Sequence, residues 1–296
     1  RPLILEDRGR LDEVLASAET PLAAYSGAYH LVWRELFSYK WTEAHGYLLL
    51  FAEHPEGMYM PLPPLGQGSM GAALKQAFSI MRERNRGSSV SRIENIPDEL
   101  KPTLEDFGYR VTPKDPDYLY RTSDLVELRG DRYKSPRGAC QRFTRAHHYR
   151  YDPYKEEDRE ACWELFQTWV RQQEARNLDP VARHMLRDAR SSHQEALSHH
   201  EALGLVGRVV RIDGAIRAYT FGYPRSKAVF CVLLEVADRS IPGLAQVIFR
   251  EFCREAARSG HEFMNTMDDS GLPSLSRSKT AYHPVRMVGS SIATEP

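Results

Sequence analysis

Apolar positions recur along the chain with two different periods, and each period points to a kind of element. Tyr47-Leu48-Leu49-Leu50-Phe51 is an unbroken apolar run of the length that a buried strand takes. The segment 58–62 is a candidate partner for it, ended by Pro61, Pro63 and Pro64. Ser69 stands where a cap would start a helix over 70–85. The segment 90–96 reads as a weaker strand, and a helix over 98–107 stops at Gly108. From 113 to 135 the periodicity gives way to Pro, Asp and Tyr, which reads as an extended crossover between two domains.

Beyond the crossover the pattern predicts a helix over 136–147, a strand over 149–154, and helices over 156–175 and 180–198. Strands follow over 203–212, 215–223 and 228–236. The first two are joined by Asp213-Gly214, a pair suited to a tight hairpin because both residues tolerate positive φ. Leu244, Val247, Ile248, Phe252 and Ala256 then recur at helical spacing and predict a helix over 242–259. Ser240 is placed as its cap, Pro242 in its first turn and Gly260 just past its end. Strands alternating with helices, with a three-stranded meander, predict a layered α/β or α+β fold.

Length changes the picture by suggesting two such layers, since 296 residues correspond to about two domains. The expected domains are 1–125 and 126–296. Lys+Arg and Asp+Glu are equal at 40 each, which speaks against a dedicated nucleic-acid coat while leaving room for a local basic patch. Cys140, Cys162, Cys231 and Cys253 form no CxxC pair and read as reduced thiols of a cytosolic protein. No apolar run approaches the length of a membrane span. The chain opens at Arg1, which leaves room for an upstream segment.

Chemistry concentrates in two stretches. In the first, Ser135 and Pro136 would begin a helix that carries Arg137, Gln141, Arg145 and His148 on one face. Arg137 in a first turn opposes the helix dipole unless an anion binds there, so the alternatives are an anion site and an ordinary basic face. In the second, Asp268-Asp269-Ser270-Gly271 precedes Arg277 and Lys279, as in a loop that leaves a strand and enters a helix capped by Asp269 or Ser270. Adjacent carboxylates can divide into one charged group and one base; equally, Asp269 can be a cap and Lys279 a surface partner. His193, Glu195, His199 and His200 match no standard zinc spacing, so no metal is expected. Trp163 and Trp169 read as packing residues.

Together the two stretches resemble the C-terminal domain family of phosphatidylglycerol lysyltransferase. Tyr120, Leu125, Leu128, Gly130, Tyr133, Arg137 and Phe143 carry the first half of the likeness. Asn265, Asp269, Gly271, Leu275, Lys279, Tyr282 and Pro284 carry the second. Between them Glu235, Gly243 and Gln246 also look like family positions, as do Trp33-Arg34-Glu35 and the segment 59–64 near the start. Where the family has Lys-Arg-Asn, Arg-Glu and Arg, this chain has Pro136-Arg137-Gly138, Thr266-Met267 and Ser276, the last beside Arg277.

The resemblance implies a mixed α/β (α+β) fold of two tandem GNAT-like domains, each a mostly antiparallel sheet flanked by helices. It implies a transferase that moves an aminoacyl or acyl group, with aminoacyl-tRNA as donor, no required cofactor, and a lipid or small-molecule acceptor. The segment 240–245 does not carry the acyl-CoA pyrophosphate loop of GNAT enzymes. An acyl-CoA-dependent N-acyltransferase and an inactive GNAT-like binding protein are the alternatives. For direct transfer without a covalent intermediate, Asp269 is the first expected base and Glu235 the second, with Lys279 or Arg137 at the developing oxyanion. Arg137, Tyr133, Arg277, Asn265, Gln246 and Gly271 are the expected substrate-binding residues. The expected location is the cytoplasm, peripheral at a membrane where the acceptor is a lipid.

Overall fold

A computed structural model describes all residues except Gly87 and 176–179, together with the side chains at 180 and 181. The chain divides into two compact units, 1–117 with 288–296, and 118–287.

The first unit opens with α1 (Arg8–Ala16) and α2 (Gly27–Leu31), followed by β1 (Ser38–Ala44), β2 (Tyr47–His54), β3 (Gly57–Tyr59) and β4 (Leu65–Gly66). Strand β2 is the apolar run of the sequence and lies centrally, paired antiparallel with β1, β3 and β4. Next come α3 (Met70–Asn85), β5 (Ile93–Pro97), α4 (Lys101–Asp106) and β6 (Arg110–Arg121). Helix α3 begins at Ser69, as expected, and presents Leu74, Ala77, Phe78 and Met81 to Leu49, Phe51, Met60 and Ile93. In a helix of this length, the packing of such an apolar stripe supplies most of the stability.

The second unit takes up the chain at Tyr118, near the end of β6. It contains α5 (Thr122–Glu127), α6 (Lys134–Ala146), β7 (Tyr149–Pro153), α7 (Arg159–Glu174), α8 (Pro180–His199), β8 (Val206–Ile212), β9 (Ala215–Pro224), β10 (Val229–Ala237), α9 (Leu244–Arg258), β11 (Phe263–Asn265) and α10 (Pro273–Thr280). The strand order is β6-β11-β10-β9-β8-β7, antiparallel except for β10 beside β11. Asp213 (φ 50°) and Gly214 (φ 81°) make the predicted turn between β8 and β9. Helix α9 buries all five residues of the predicted apolar stripe. On β9, Ala218 joins the cluster under α9, while its neighbour Tyr219 meets His193 of α8, so successive side chains serve opposite faces. Last, β12 (Arg286–Thr294) pairs antiparallel with β5 through its first-unit residues.

Several expectations differ from what forms. The presumed crossover 113–135 is structured: β6 buries Tyr118–Tyr120 against β11, and α5 ends at Leu128 (φ 52°). The division lies at 117/118 rather than after 125, and the closing strand returns to the first unit. Helix α9 starts from Gly243, not Ser240, whose N–H and hydroxyl are both bonded to Asp238 at 3.0 and 2.7 Å. Similarly, α6 starts one residue before Ser135, with Tyr133 at its cap position.

Candidate functional site

Strand pairing in the second unit sets out the candidate site. β10 runs parallel to β11 only at Val229↔Phe263, Phe230↔Met264 and Cys231↔Asn265. There β11 ends, while β10 continues to Ala237 with β9 on its other edge and a register shift between Val232 and Leu234. Parallel strands that part at their carboxyl ends open a crevice, and a bulge re-aims the side chains beyond it. Glu235 lies in this freed part of β10. As a residue it keeps some exposed surface, yet its Oε2 is out of reach of solvent and has no hydrogen-bond partner among the described residues. That lack of solvation pushes its pKa up to about 8. Cys253 of α9 and Tyr282 lie close enough to feel its charge, and burial raises both of their pKa values as well. A carboxyl so placed exchanges a proton near neutral pH, which ordinary glutamates do not.

The segment that follows β11 is built the opposite way, with its polar groups spent on one another. Asn265 is fully buried and its Oδ1 accepts the Met267 N–H at 2.7 Å, bending the chain into positive φ at Met267 (61°). The bend turns the carbonyls of Thr266, Met267 and Asp268 toward one point. Lys279 of α10 fills it, donating to Thr266 O at 2.5 Å, to Met267 O at 3.1 Å and to Asp268 O. An ammonium has three N–H donors, enough to serve these three carbonyls. The same ammonium stands 5.6 Å from the centre of the Tyr118 ring.

Asp269 is equally engaged. The Tyr118 hydroxyl donates to its Oδ2 at 2.6 Å and the Gly271 N–H to its Oδ1 at 3.1 Å. The Tyr118 hydroxyl bond is the main reason that the Asp269 pKa lies below the ordinary carboxylate value, with Ser276, the Gly271 N–H and Lys279 acting in the same direction. A carboxylate held in its charged form is a weakened base. Gly271 (φ 67°) allows the turn, while Arg277 is exposed on α10.

Helices α6 and α9 meet the same region. Tyr133 is buried and donates to Tyr282 O at 3.2 Å. Arg137 donates to Leu128 O and, at 2.8 Å, to Gly130 O, so its guanidinium closes the end of α5. Gly243 has φ 88°, and a Cβ there would stand 2.5 Å from Ala139 O of α6. Only glycine permits this close approach. Gln246 is half-buried in the first turn of α9, whose N-terminus has no side-chain cap.

Over residues 19–293 the sequence matches the family described as phosphatidylglycerol lysyltransferase, C-terminal. The chain belongs to that family. Members of this phosphatidylglycerol lysyltransferase-like group are transferases, and the family supports an aminoacyltransferase or GNAT-like activity here. A conserved protein of unknown function from Bacteroides thetaiotaomicron shares the fold with a TM-score of 0.88 at 23% identity, over 100% of this chain and 99% of that one. The C-terminal domain of a putative lysylphosphatidylglycerol synthetase from Agrobacterium fabrum gives 0.68 at 15% identity, over 98% and 92%. A tandem GNAT protein from the clavulanic acid biosynthesis pathway gives 0.53 at 13%, over 99% and 96%. The fold is accordingly a mixed α/β tandem GNAT-like one. No curated protein matches the sequence.

Within this family frame, the unit brings Tyr118, Asp269, Ser276 and Lys279 together around one loop and sets Glu235 beside Cys253 and Tyr282. Tyr118, Ser276 and Cys253 were not among the expected residues. The alternation Tyr118-Leu119-Tyr120 is the signal for the first, since it places both rings on one strand face. His193 is buried, stacks on Phe166 with 4.3 Å between ring centres, and shares a 2.8 Å hydrogen bond with the Tyr219 hydroxyl. Burial holds its pKa down to about 3. No grouping of three metal-ligating side chains occurs among the described residues, and no helix among them is long and apolar enough to cross a membrane.

Proposed function

We propose that the second unit transfers an aminoacyl group from aminoacyl-tRNA to a hydroxyl or amine of a lipid or small-molecule acceptor, with Glu235 as general base. The observation that carries this reading is the buried Oε2 of Glu235, beyond the end of the β10–β11 ladder and without a hydrogen-bond partner among the described residues. Glu235 takes the proton as the acceptor oxygen or nitrogen attacks the ester carbonyl. When the tetrahedral intermediate collapses, the same proton returns to the departing ribose oxygen. The N-terminus of α9, which no side chain caps and where Gln246 lies, offers the positive end of a helix dipole to the negative charge that develops. Asp269, Lys279 and Arg137 act indirectly, by fixing the loops around the crevice, while Tyr133, Asn265 and Gly271 support them. Arg277, exposed on α10, is proposed to meet an incoming anionic donor.

The donor arrives already activated, so the reaction needs no resident cofactor. Ser240 is committed to Asp238 and the segment 240–245 lacks an acyl-CoA pyrophosphate loop, which favours the tRNA donor over acyl-CoA. Acting from the cytoplasm, the protein would meet a lipid acceptor at the membrane surface.

The test uses purified protein, labelled aminoacyl-tRNAs one amino acid at a time, and vesicles of phosphatidylglycerol or a soluble extract as acceptor. Label should leave the tRNA for an acceptor, and Glu235→Gln should slow that step about 10²–10⁴-fold. Transfer from acetyl-CoA in place of aminoacyl-tRNA would overturn the donor, and binding of either donor without turnover would overturn the enzyme.

A further inference from the structure

In the first unit, aromatic and charged side chains from distant parts of the sequence converge. Helix α2 supplies Tyr29 and His30, β1 supplies Tyr39, β3 supplies Tyr59, and β5 and β6 supply Glu94, Asn95 and Lys114. Phe37 links the rings, 6.0 Å from both Tyr39 and Tyr59 between centres. Arg92 lies flat over Tyr59 at 4.4 Å and bonds Glu94 at 2.6 Å, while Lys114 reaches Glu94 at 3.7 Å. Arg92, Glu94 and Lys114 remain partly exposed, with 32%, 15% and 21% of their side-chain surface open, whereas His30, Tyr39 and Asn95 are buried.

Two features of this cluster exceed what packing needs. Asn95 holds a left-handed conformation (φ 51°) inside a strand, where a non-glycine residue is strained. Its side chain explains the retention: it donates to Pro61 O at 2.9 Å and accepts Lys114 Nζ at 2.8 Å, setting the direction of that ammonium. His30 is the second feature. Its Nε2 lies 2.7 Å from Ala24 O, and a carbonyl only accepts, so Nε2 carries the proton and Nδ1 is a bare acceptor. That Nδ1 is buried with no hydrogen-bond partner among the described residues. Burial, aided by the charge of Lys114, lowers the imidazole pKa to about 4 and keeps the ring neutral. A buried acceptor left bare is uncommon and awaits a donor.

We propose that Arg92, Lys114, Glu94 and His30, walled by Tyr29, Tyr39 and Tyr59, form a binding site in the first unit for a small carboxylate with a hydrogen-bond donor on the adjacent carbon, an α-amino or α-hydroxy acid. Arg92 spends one N–H on Glu94 and one on Val90 O, which leaves part of its planar fork to meet a carboxylate. The donor on the neighbouring carbon satisfies His30 Nδ1, and the tyrosine rings exclude water and favour an ammonium where the donor is an amine. Asn95 is a positioning residue for Lys114. The site stands independently of the donor used by the second unit.

The test is histidine ring ¹⁵N NMR on the full chain, following the His30 Nδ1 resonance during separate titrations with glycine, lactate, acetate and inorganic phosphate. The expected result is a saturable shift with glycine or lactate and none with acetate or phosphate; glycine against lactate separates the amine from the hydroxyl source. No shift with either, or an equal shift with acetate, overturns the proposal. Arg92→Met should weaken the titration at least about tenfold while the unliganded melting temperature holds. Unchanged affinity in that variant also overturns it. The wild-type resonance decides the matter even if the variant does not fold.

Discussion

Strand β10 and the loop after β11 lie side by side in the second unit, and they treat their charged groups in opposite ways. In the loop, Lys279 gives its donors to three carbonyls, and Asp269 takes a tyrosine hydroxyl and a backbone N–H. On β10, Glu235 loses solvent at Oε2 and gains no hydrogen bond there from the described residues. A charged group surrounded by fixed partners resists changing its protonation state, so it holds structure. One that is stripped of partners sits near the pH of the cell and can exchange a proton. On this contrast rests the proposal that the family-pattern residues Asp269 and Lys279 shape the site while the lone acid of β10 serves as its base.

Substitutions separate the two kinds of residue. The largest effect is expected for Glu235→Gln, which should cut acyl transfer about 10²–10⁴-fold in a working assay and leave the melting temperature unharmed. Lys279→Met should do the reverse. Losing charge-assisted bonds to three carbonyls is expected to cost about 2–4 kcal/mol in urea unfolding, with transfer falling only as far as the loop loosens. Gly243→Ala places a Cβ against Ala139 O in a backbone conformation that L residues avoid. It should cost about 2 kcal/mol by the same measurement, by prising α9 from α6. The smallest effect belongs to Asp269→Asn, which keeps one acceptor oxygen: about 1 kcal/mol in stability, and less than about tenfold in transfer. A larger fall in transfer for Asp269→Asn than for Glu235→Gln would reverse the comparison.

Much of the fold is legible in the chain itself. The apolar run 47–51, the α3 and α9 stripes and the Asp213-Gly214 turn each carry their own local signal, and each forms where that signal lies. Strand β6 is hidden because Pro113 and Pro116 interrupt its more exposed first half, and its apolar burial comes only at Tyr118–Tyr120, beside a strand more than a hundred residues away. The site is partly legible in the same sense. Glu235 stands out as the single acid in the run Val229–Ala237. Lys279 and Asp269 are visible as charges, but which charge is already spent depends on where the carbonyls of 266–268 turn and on Tyr118, far off in sequence. Arg137 resembles an anion ligand for the same reason: the carbonyls that occupy it belong to the turn after α5, a helix with no clear signal in the sequence.

Protonation of Glu235 also leaves a mark on stability. The folded chain keeps the proton up to about pH 8, whereas the unfolded chain releases it around 4.5. Between those values the folded state binds more protons, so stability declines as pH rises and levels off above about 8; Glu235→Gln should flatten that decline. The most direct test is a pH titration of the glutamate side-chain carboxyl by ¹³C NMR, with the Glu235 signal identified by its loss in Glu235→Gln. A midpoint near 8 is the predicted result. A midpoint near the ordinary value of 4.5 would mean that the carboxyl is solvated, and that Glu235 is not the base of this site.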